Sequence, residues 1–487
     1  MAKRKNLLLI CTDHWPSYLM GCAGHPVVMT PTLDSLAHNG VRFDHYYSEC
    51  PVCIPARRSM MTGLSPRHHG DRVYSDRMTM PDVTTLAGAF HDAGYQTYAV
   101  GKLHVYPQRD RIGFDDVSLQ EEGRYEFGTV DDYQVWLGEQ GYVGQEYTHG
   151  MGNNAYYTRT WHLPEETHPT NWATREMCRQ IKRKDPTRPA FYYLSYQFPH
   201  PPLVPLQSFW DMYRDEEIDE PWYADWNWSR DIFRLCAEQA NPYTEKERIR
   251  ARRAFYAQCT HLDNQIRIVI GTLRECNLLD DTIIVFTSDH GDMLFNHGMV
   301  AKRSFYEPSA CVPLIISGKP FYDEYHLAGE TLHKLGVHAD LMPTLLDLCG
   351  VPAPEGMDGL PLMSSGEHPY VYGEIGTGIK ATRMVRKDRY KLIYYPYGNV
   401  IQLFDMEADP HEKCDLAADP AMKAVRDELC KIMMFEFYGS DMEWIRDGVL
   451  VGMPEEKQPS KPDFGLYNQR GYHWPVPQAY SNLGKNQ

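Results

Sequence analysis

Several things are scarce in this 487-residue chain, and each scarcity removes a class of function. Basic residues are in deficit: 49 Lys+Arg stand against 65 Asp+Glu, a formal net charge of -16, so no broad basic surface attracts nucleic acid or anionic lipid. Long apolar runs are lacking too. Near the N-terminus Asn6-Leu-Leu-Leu-Ile10 is broken at once by Cys11, Thr12, Asp13 and His14, too short for a secretory hydrophobic segment or a membrane span. The expectation is a cytoplasmic protein with neither a membrane nor a nucleic-acid partner. The twelve cysteines lack small-scaffold spacing, and several, such as Cys349 in Leu-Asp-Leu-Cys, sit in apolar surroundings and read as reduced core thiols.

What is present is enough for a large core. With 43% hydrophobic residues, a chain of this length favours one big domain plus a smaller one. Short apolar runs at 6–10, 97–100, 191–196, 282–287 and 314–317 alternate with helical patterns, the signature of a mostly parallel sheet covered by helices on both faces. Polar residues follow each run, and in open α/β sheets ligands bind just beyond the carboxyl ends of the strands. The capping box Thr244-Glu-Lys-Glu247 opens a long helix running to about Leu278. Stretches 120–170 and 206–241, rich in Trp, Tyr, Asp, His and Asn, read either as insertions around the mouth of a site or as ordinary surface loops.

After about Glu367 the pattern turns to polar-apolar alternation, as in Arg383-Met-Val-Arg and Tyr390-Lys-Leu-Ile-Tyr-Tyr395, followed by a helix over 420–437. That predicts a small antiparallel sheet packed by a helix. The expected division is residues 1–367 for the large α/β domain, 368–450 for an α+β subdomain, and 451–487 for an aromatic-rich tail that reads as an inter-subunit arm of a homo-oligomer.

The chemistry concentrates at Cys50-Pro-Val-Cys53-Ile-Pro55-Ala-Arg57, followed by Thr62-Gly63. Taken as a CxxC pair, Cys50 and Cys53 suggest a redox dithiol or half of a zinc site, though no second CxxC completes a zinc cluster. Taken as Cys53-x-Pro55-x-Arg57, the segment resembles the signature of the sulfatase family, whose cysteine is converted to formylglycine (3-oxoalanine). The rest of that family's site follows in order. Asp13 follows the first strand; Gly101-Lys102-Leu103-His104 matches a Gly-Lys-x-His motif; His200 lies between Pro199 and Pro201; Ser288-Asp289-His290-Gly291 matches a metal-binding motif; and Lys302 precedes Tyr306-Glu307. The resemblance spans about residues 5–420.

That resemblance implies an alkaline-phosphatase-like fold and hydrolysis of sulfate monoesters to an alcohol or phenol plus inorganic sulfate. The implied metal ligands are Asp13, His14, residue 53, Asp289 and His290, and the implied catalytic residues are Cys53, Arg57, Lys102, His104, His200 and Lys302. A hydrated aldehyde at position 53 supplies a hydroxyl nucleophile activated by a divalent cation. Arg57 neutralises the diol, Lys102 and Lys302 hold sulfuryl oxygens, His104 takes a proton from the second hydroxyl, and His200 gives one to the leaving group. A formylglycine-generating enzyme and a small sulfated substrate are the implied partners.

One position departs from the pattern: many sulfatases carry a second aspartate after the first strand, and here His14 stands there. Two imidazoles beside two carboxylates soften the ligand set, so manganese is the alternative to the calcium expected by resemblance. The same departure resembles phosphonate monoester hydrolases, which cleave phosphodiesters with a formylglycine, whereas Lys102 and His104 point to sulfate. A catalytically silent binding protein on this fold is the remaining alternative. Trp15, Tyr74 and Tyr106 stand near these motifs, either to stack on a substrate ring or quaternary ammonium or to pack the wall.

Overall fold

A computed structural model describes residues 5–122, 130–224, 226, 238–239, 243–364 and 366–456. Its centre is an eight-stranded sheet. In chain order the strands are β1 (Asn6–Thr12), β2 (Gly40–Phe43), β3 (Gln96–Gly101), β4 (Asp116–Leu119), β5 (Ala190–Ser195), β6 (Thr282–Ser288), β7 (Leu314–Ser317) and β8 (Glu330–Leu332). Across the sheet they run β8-β2-β7-β6-β1-β5-β3-β4. Pairing is parallel from β6 through β1, β5 and β3 to β4, while β7 alone runs against both its neighbours, β6 and β2.

Strand β1 shows why both faces are covered. Alternate side chains point to opposite faces, and here Leu8 and Ile10 enter one core while Leu7, Leu9 and Cys11 enter another. The first core is filled by helices α3 (Pro169–Lys182) and α4 (Glu245–Glu275), through Trp172, Met177, Phe255 and Leu262. The second is filled by α1 (Cys53–Thr62), α2 (Leu86–Asp92) and α5 (Leu341–Cys349), through Met60, Phe90 and Leu345. The capping box that opens α4 is formed, with Glu247 accepting from the Thr244 backbone N–H at 2.7 Å. The helix ends at Glu275, three residues short of the sequence expectation.

The smaller sheet is the antiparallel meander β9 (Val371–Ile375), β10 (Thr382–Lys387), β11 (Tyr390–Tyr395) and β12 (Val400–Asp405), covered by α6 (Lys423–Glu436). Val385, Leu392 and Leu403 face Leu429 and Met433 of α6, whereas Met384, Ile393 and Phe404 face Phe305 and Tyr306 of the larger unit. The polar residues of the alternation are therefore buried as well. Lys391 is fully enclosed, donates to Glu307 Oε1 at 2.6 Å and to the Phe305 carbonyl at 2.9 Å, and forms an ion pair with Glu412 Oε1 at 2.5 Å. Among the described residues no helix is long and apolar enough to cross a membrane. Residues 457–487, the major part of the expected arm, lie outside the described residues, as do 123–129 and most of 225–242 within the expected insertions.

Candidate active site

The carboxyl ends of four parallel strands meet helix α1 at one buried group of side chains. Asp13 leaves β1, Lys102 and His104 leave β3, Ser195 closes β5, and Asp289 and His290 leave β6. Cys53 is the first residue of α1 and Arg57 lies one turn on, so both project from the same side of the helix. That placement accounts for the four-residue spacing. The N-terminal end of α1 also carries the positive end of the helix dipole, which favours negative charge beside residue 53.

Two glycines show how tightly the strand ends are held. Gly101 has φ +101°, and a Cβ there would lie 1.9 Å from the Ser195 carbonyl oxygen. At Gly291 a Cβ would lie 2.0 Å from the Pro308 carbonyl oxygen. Only glycine fits at either point. Gly101→Ala is therefore expected to shift β3 against β5 and misplace Lys102, lowering the melting temperature by several degrees and kcat/KM by at least about 100-fold. Thermal unfolding and a sulfate-release assay on the same preparation check both.

Asp13 is the hub of the group. Its carboxylate meets Lys102 Nζ, lies 3.7 Å from Cys53 Sγ and 3.4 Å from His290 Nε2, and stands 3.6 Å from Arg57 Nη2. Burial alone would raise its pKa, but Lys102, His200, His290 and Arg57 together hold it well below the usual carboxylate range. Lys102 also pairs with Glu122. Arg57 donates Nε to Asp289 at 2.9 Å and Nη1 to Ser195 Oγ at 2.7 Å, to the Lys102 carbonyl at 3.0 Å and to Tyr193 at 3.2 Å. Its Nη2 is buried and makes no hydrogen bond among the described residues.

The histidines divide by what occupies their second nitrogen. His290 donates Nδ1–H to the Gly291 carbonyl at 2.9 Å, which turns the Nε2 lone pair toward Cys53 Sγ, 3.2 Å away. His14 donates Nδ1–H to Asp292 at 2.6 Å, and its Nε2 accepts from Lys302 Nζ, also at 2.6 Å. Lys302 further reaches His200 Nε2 at 3.3 Å. Burial, and then the ammonium of Lys302, push His200 down to about 3 and His14 well below its ordinary value. Both imidazoles are neutral acceptors for Lys302.

Donor atoms of Asp13, Cys53, Asp289 and His290 all lie within 4.8 Å of one another and are buried, as do those of Asp13, His14 and His200. The first set, two carboxylates and an imidazole with a free lone pair around position 53, fits a divalent cation by donor chemistry. His14, the fifth ligand expected from the sequence, belongs to the second set, and its Nε2 here accepts from Lys302. The Cys53 thiol is pushed up to about 12, by burial first and then by Asp13, so in the metal-free protein it is a neutral thiol near pH 7. Cys50 lies in the separate core beside Tyr47 and Phe305, and every cysteine among the described residues is a free thiol.

Several participants were not singled out from sequence. Glu121 accepts from the backbone N–H groups of Leu103 and His104 at 2.7 and 2.8 Å, fixing the turn in which His104 takes a φ of +61°. Tyr156 donates to Asp292, behind His14. Glu121, Glu122 and Tyr156 all belong to the 120–170 stretch, whose lack of periodicity hid which of its polar residues turn inward. Asp292 stood one residue past the metal-binding motif, with nothing local to mark it. Of the three nearby aromatics, Trp15 is fully buried against Phe286 and donates its N–H to the Leu19 carbonyl at 2.9 Å, so it packs the core. Tyr74 and Tyr106 are half-buried, and Tyr74 OH lies 3.3 Å from His104 Nε2.

The family model described as Sulfatase matches residues 5–351. The chain belongs to the sulfatase family. A second model, N-sulphoglucosamine sulphohydrolase, C-terminal, matches residues 295–436. An arylsulfatase of Clostridium perfringens is 33% identical over 482 residues, covering 93% of this chain and 98% of that one. A choline-sulfatase of Rhizobium meliloti is 30% identical, over 86% and 83% of the two chains. Among solved structures, a phosphonate monoester hydrolase of Agrobacterium radiobacter superposes with a TM-score of 0.75 at 23% identity, covering 87% of this chain and 93% of its own. A protein in complex with its substrate D-glucosamine-2-N,6-O-disulfate superposes with a TM-score of 0.73 at 21% identity, covering 89% and 97%. The architecture is thus that of the alkaline-phosphatase-like sulfatases, and the enzyme class is sulfuric ester hydrolase.

Proposed function

We propose that this sulfatase hydrolyses a small sulfate monoester with formylglycine at position 53 as nucleophile, after conversion of Cys53 by a maturation enzyme. The observation that carries the reading is the convergence of Cys53, Asp13, Asp289 and His290, whose donor atoms lie within 4.8 Å of one another at the strand ends. A divalent cation, calcium by family and manganese by the softer alternative, would be held by Asp13, Asp289, His290 and residue 53, and would acidify a hydroxyl there and polarise the sulfuryl group.

The remaining steps fall to the chain's own groups. Arg57, anchored on Asp289 and Ser195, offers its Nη2 to an oxygen on residue 53. Lys102 and Lys302 approach from two sides and hold the sulfuryl oxygens. His104, steadied by Tyr74, accepts the proton released when the second hydroxyl of residue 53 expels sulfate. Lys302 flanks the leaving oxygen and supplies its proton, while His200, accepting from the same ammonium, holds it in place. In this account His14 orients Lys302 and does not bind metal. The mass of the tryptic peptide containing residue 53 tests the first premise: formylglycine is expected in active protein, and a peptide carrying only cysteine would end the mechanism.

Arg303 bears on the alcohol portion of the substrate. Its guanidinium lies 5.9 Å over the Tyr74 ring, and its buried Nε has no partner among the described residues. A cation beside Tyr74 repels a quaternary ammonium and welcomes an aryl ring or a second anionic group. We therefore expect kcat/KM for an aryl sulfate to exceed that for choline sulfate by at least about 100-fold, a gap of roughly 3 kcal/mol. Arg303→Gln should narrow it. A side-by-side assay, with a bis-aryl phosphate included to gauge phosphodiester cleavage, decides the matter, and faster turnover of choline sulfate would overturn the assignment.

A further inference from the structure

A second cluster of polar groups lies away from position 53, in a cleft of about 260 Å³ between the edge of the large sheet and the small sheet. Arg42 of β2 and Arg386 of β10 both line it, together with Trp222 and His411. None of its lining residues belongs to the group around Cys53.

Arg386 is the unusual member. Only 2% of its surface is exposed, yet neither Nε nor Nη1 has a hydrogen-bond partner among the described residues. Trp222 adds a third such donor, since its Nε1 is buried and without a partner while its ring stacks on His411 at 4.2 Å. A buried donor left unsatisfied costs about 1 to 3 kcal/mol, more when it is charged, and all three belong to residues of one cleft, where an acceptor would offset that cost. Arg42 brings a second guanidinium, of which Nη2 donates to Thr331 at 3.2 Å.

The nearby acids meet that need only in part: Glu307 and Glu412 lie close enough to favour the charged guanidinium, but Nε and Nη1 bond neither among the described residues. Glu307 Oε1 is committed to Tyr47 at 2.9 Å and Lys391 at 2.6 Å. Asp44 takes His333 through Oδ2 at 2.8 Å, and its Oδ1 is an acceptor without a hydrogen bond among the described residues. It disfavours a ligand of high negative charge and suits one that brings a hydroxyl of its own. Donors on two guanidiniums and an indole, with one carboxylate oxygen beside them, describe a receptor for a small oxyanion that retains an O–H.

We propose that the cleft between Arg42, Trp222 and Arg386 is a second ligand site, distinct from the sulfatase centre, that binds a small oxyanion such as hydrogen phosphate. Bound there, the ligand bridges the two sheets through Arg42 and Arg386. Trp222 supplies a third donor.

Inorganic phosphate is the probe, and Lys302→Met removes a principal oxyanion contact of the catalytic centre. Calorimetric titration of metal-loaded Lys302→Met is expected to show one bound phosphate. Adding Arg386→Met should weaken that binding at least 10-fold, and Trp222→Phe, which removes one N–H and keeps the packing, should weaken it several-fold. In the otherwise unaltered enzyme, Arg386→Met should leave aryl sulfate turnover near its basal value, which also reports that the variant folds. If Arg386→Met does not fold, Trp222→Phe alone decides. The proposal is overturned if Lys302→Met binds no phosphate, or if the cleft variants that fold bind it as tightly as their parent.

Discussion

Replacing Cys53 by alanine is expected to abolish sulfate release, lowering kcat/KM by roughly 10⁴- to 10⁶-fold, the scale on which covalent nucleophiles act. The loss should come without unfolding. Cys53 opens a helix whose residues are all buried, and alanine keeps the helix while removing only Sγ. Cys53→Ser is the sharper comparison, because it retains an oxygen at the right place but cannot supply the second hydroxyl of a hydrated aldehyde. A covalently sulfated serine should accumulate, visible as a mass increment on the residue 53 peptide. A serine variant that turns over at the parental rate would overturn the mechanism.

The second large effect is expected at Asp13. Asp13→Asn keeps the shape and removes the charge that Lys102, Arg57 and His290 share. Breaking a buried ion pair from one side costs about 3 to 5 kcal/mol. Here Glu122 still pairs with Lys102 and Asp289 with Arg57, so the stability loss should fall at the low end of that range. Metal retention should suffer more, since a neutral amide replaces one of two anionic donors. We expect the variant to purify with much less than one equivalent of metal and with kcat/KM down at least about 10³-fold. Full metal occupancy with parental activity would remove Asp13 from the ligand set.

How much of this was legible in the sequence depends on whether a feature is local. The strands at 6–10, 97–100, 191–196, 282–287 and 314–317 were readable because each is a short apolar run bounded by polar residues, and all belong to the large sheet. That β7 runs antiparallel was not readable, because direction follows from how the chain returns to the sheet. Strands β4 and β8, of four and three residues, are too short and too exposed to carry a period. The side chains named by motif, Asp13, Cys53, Arg57, Lys102, Asp289 and His290, lie together in one buried group. The engagement of His14 with Lys302 and Asp292, 288 and 278 residues away, was invisible to any local pattern. The alternation after residue 380 announced a sheet packed by a helix on one face but gave no sign that the other face is covered too, and Arg383, Arg386 and Lys391 are all buried.

That second covered face has a bearing on how the polypeptide can be divided. Lys302 stands three positions before Phe305, whose carbonyl is gripped by Lys391 and whose ring packs among side chains of the meander. A fragment trimmed near residue 367 would retain every side chain named for catalysis, yet the loop presenting the Lys302 ammonium would lose its backing and bare an apolar surface to water. The meander thus works as a buttress for the chemistry, and a catalytic portion expressed without it is expected to lose the placement of Lys302.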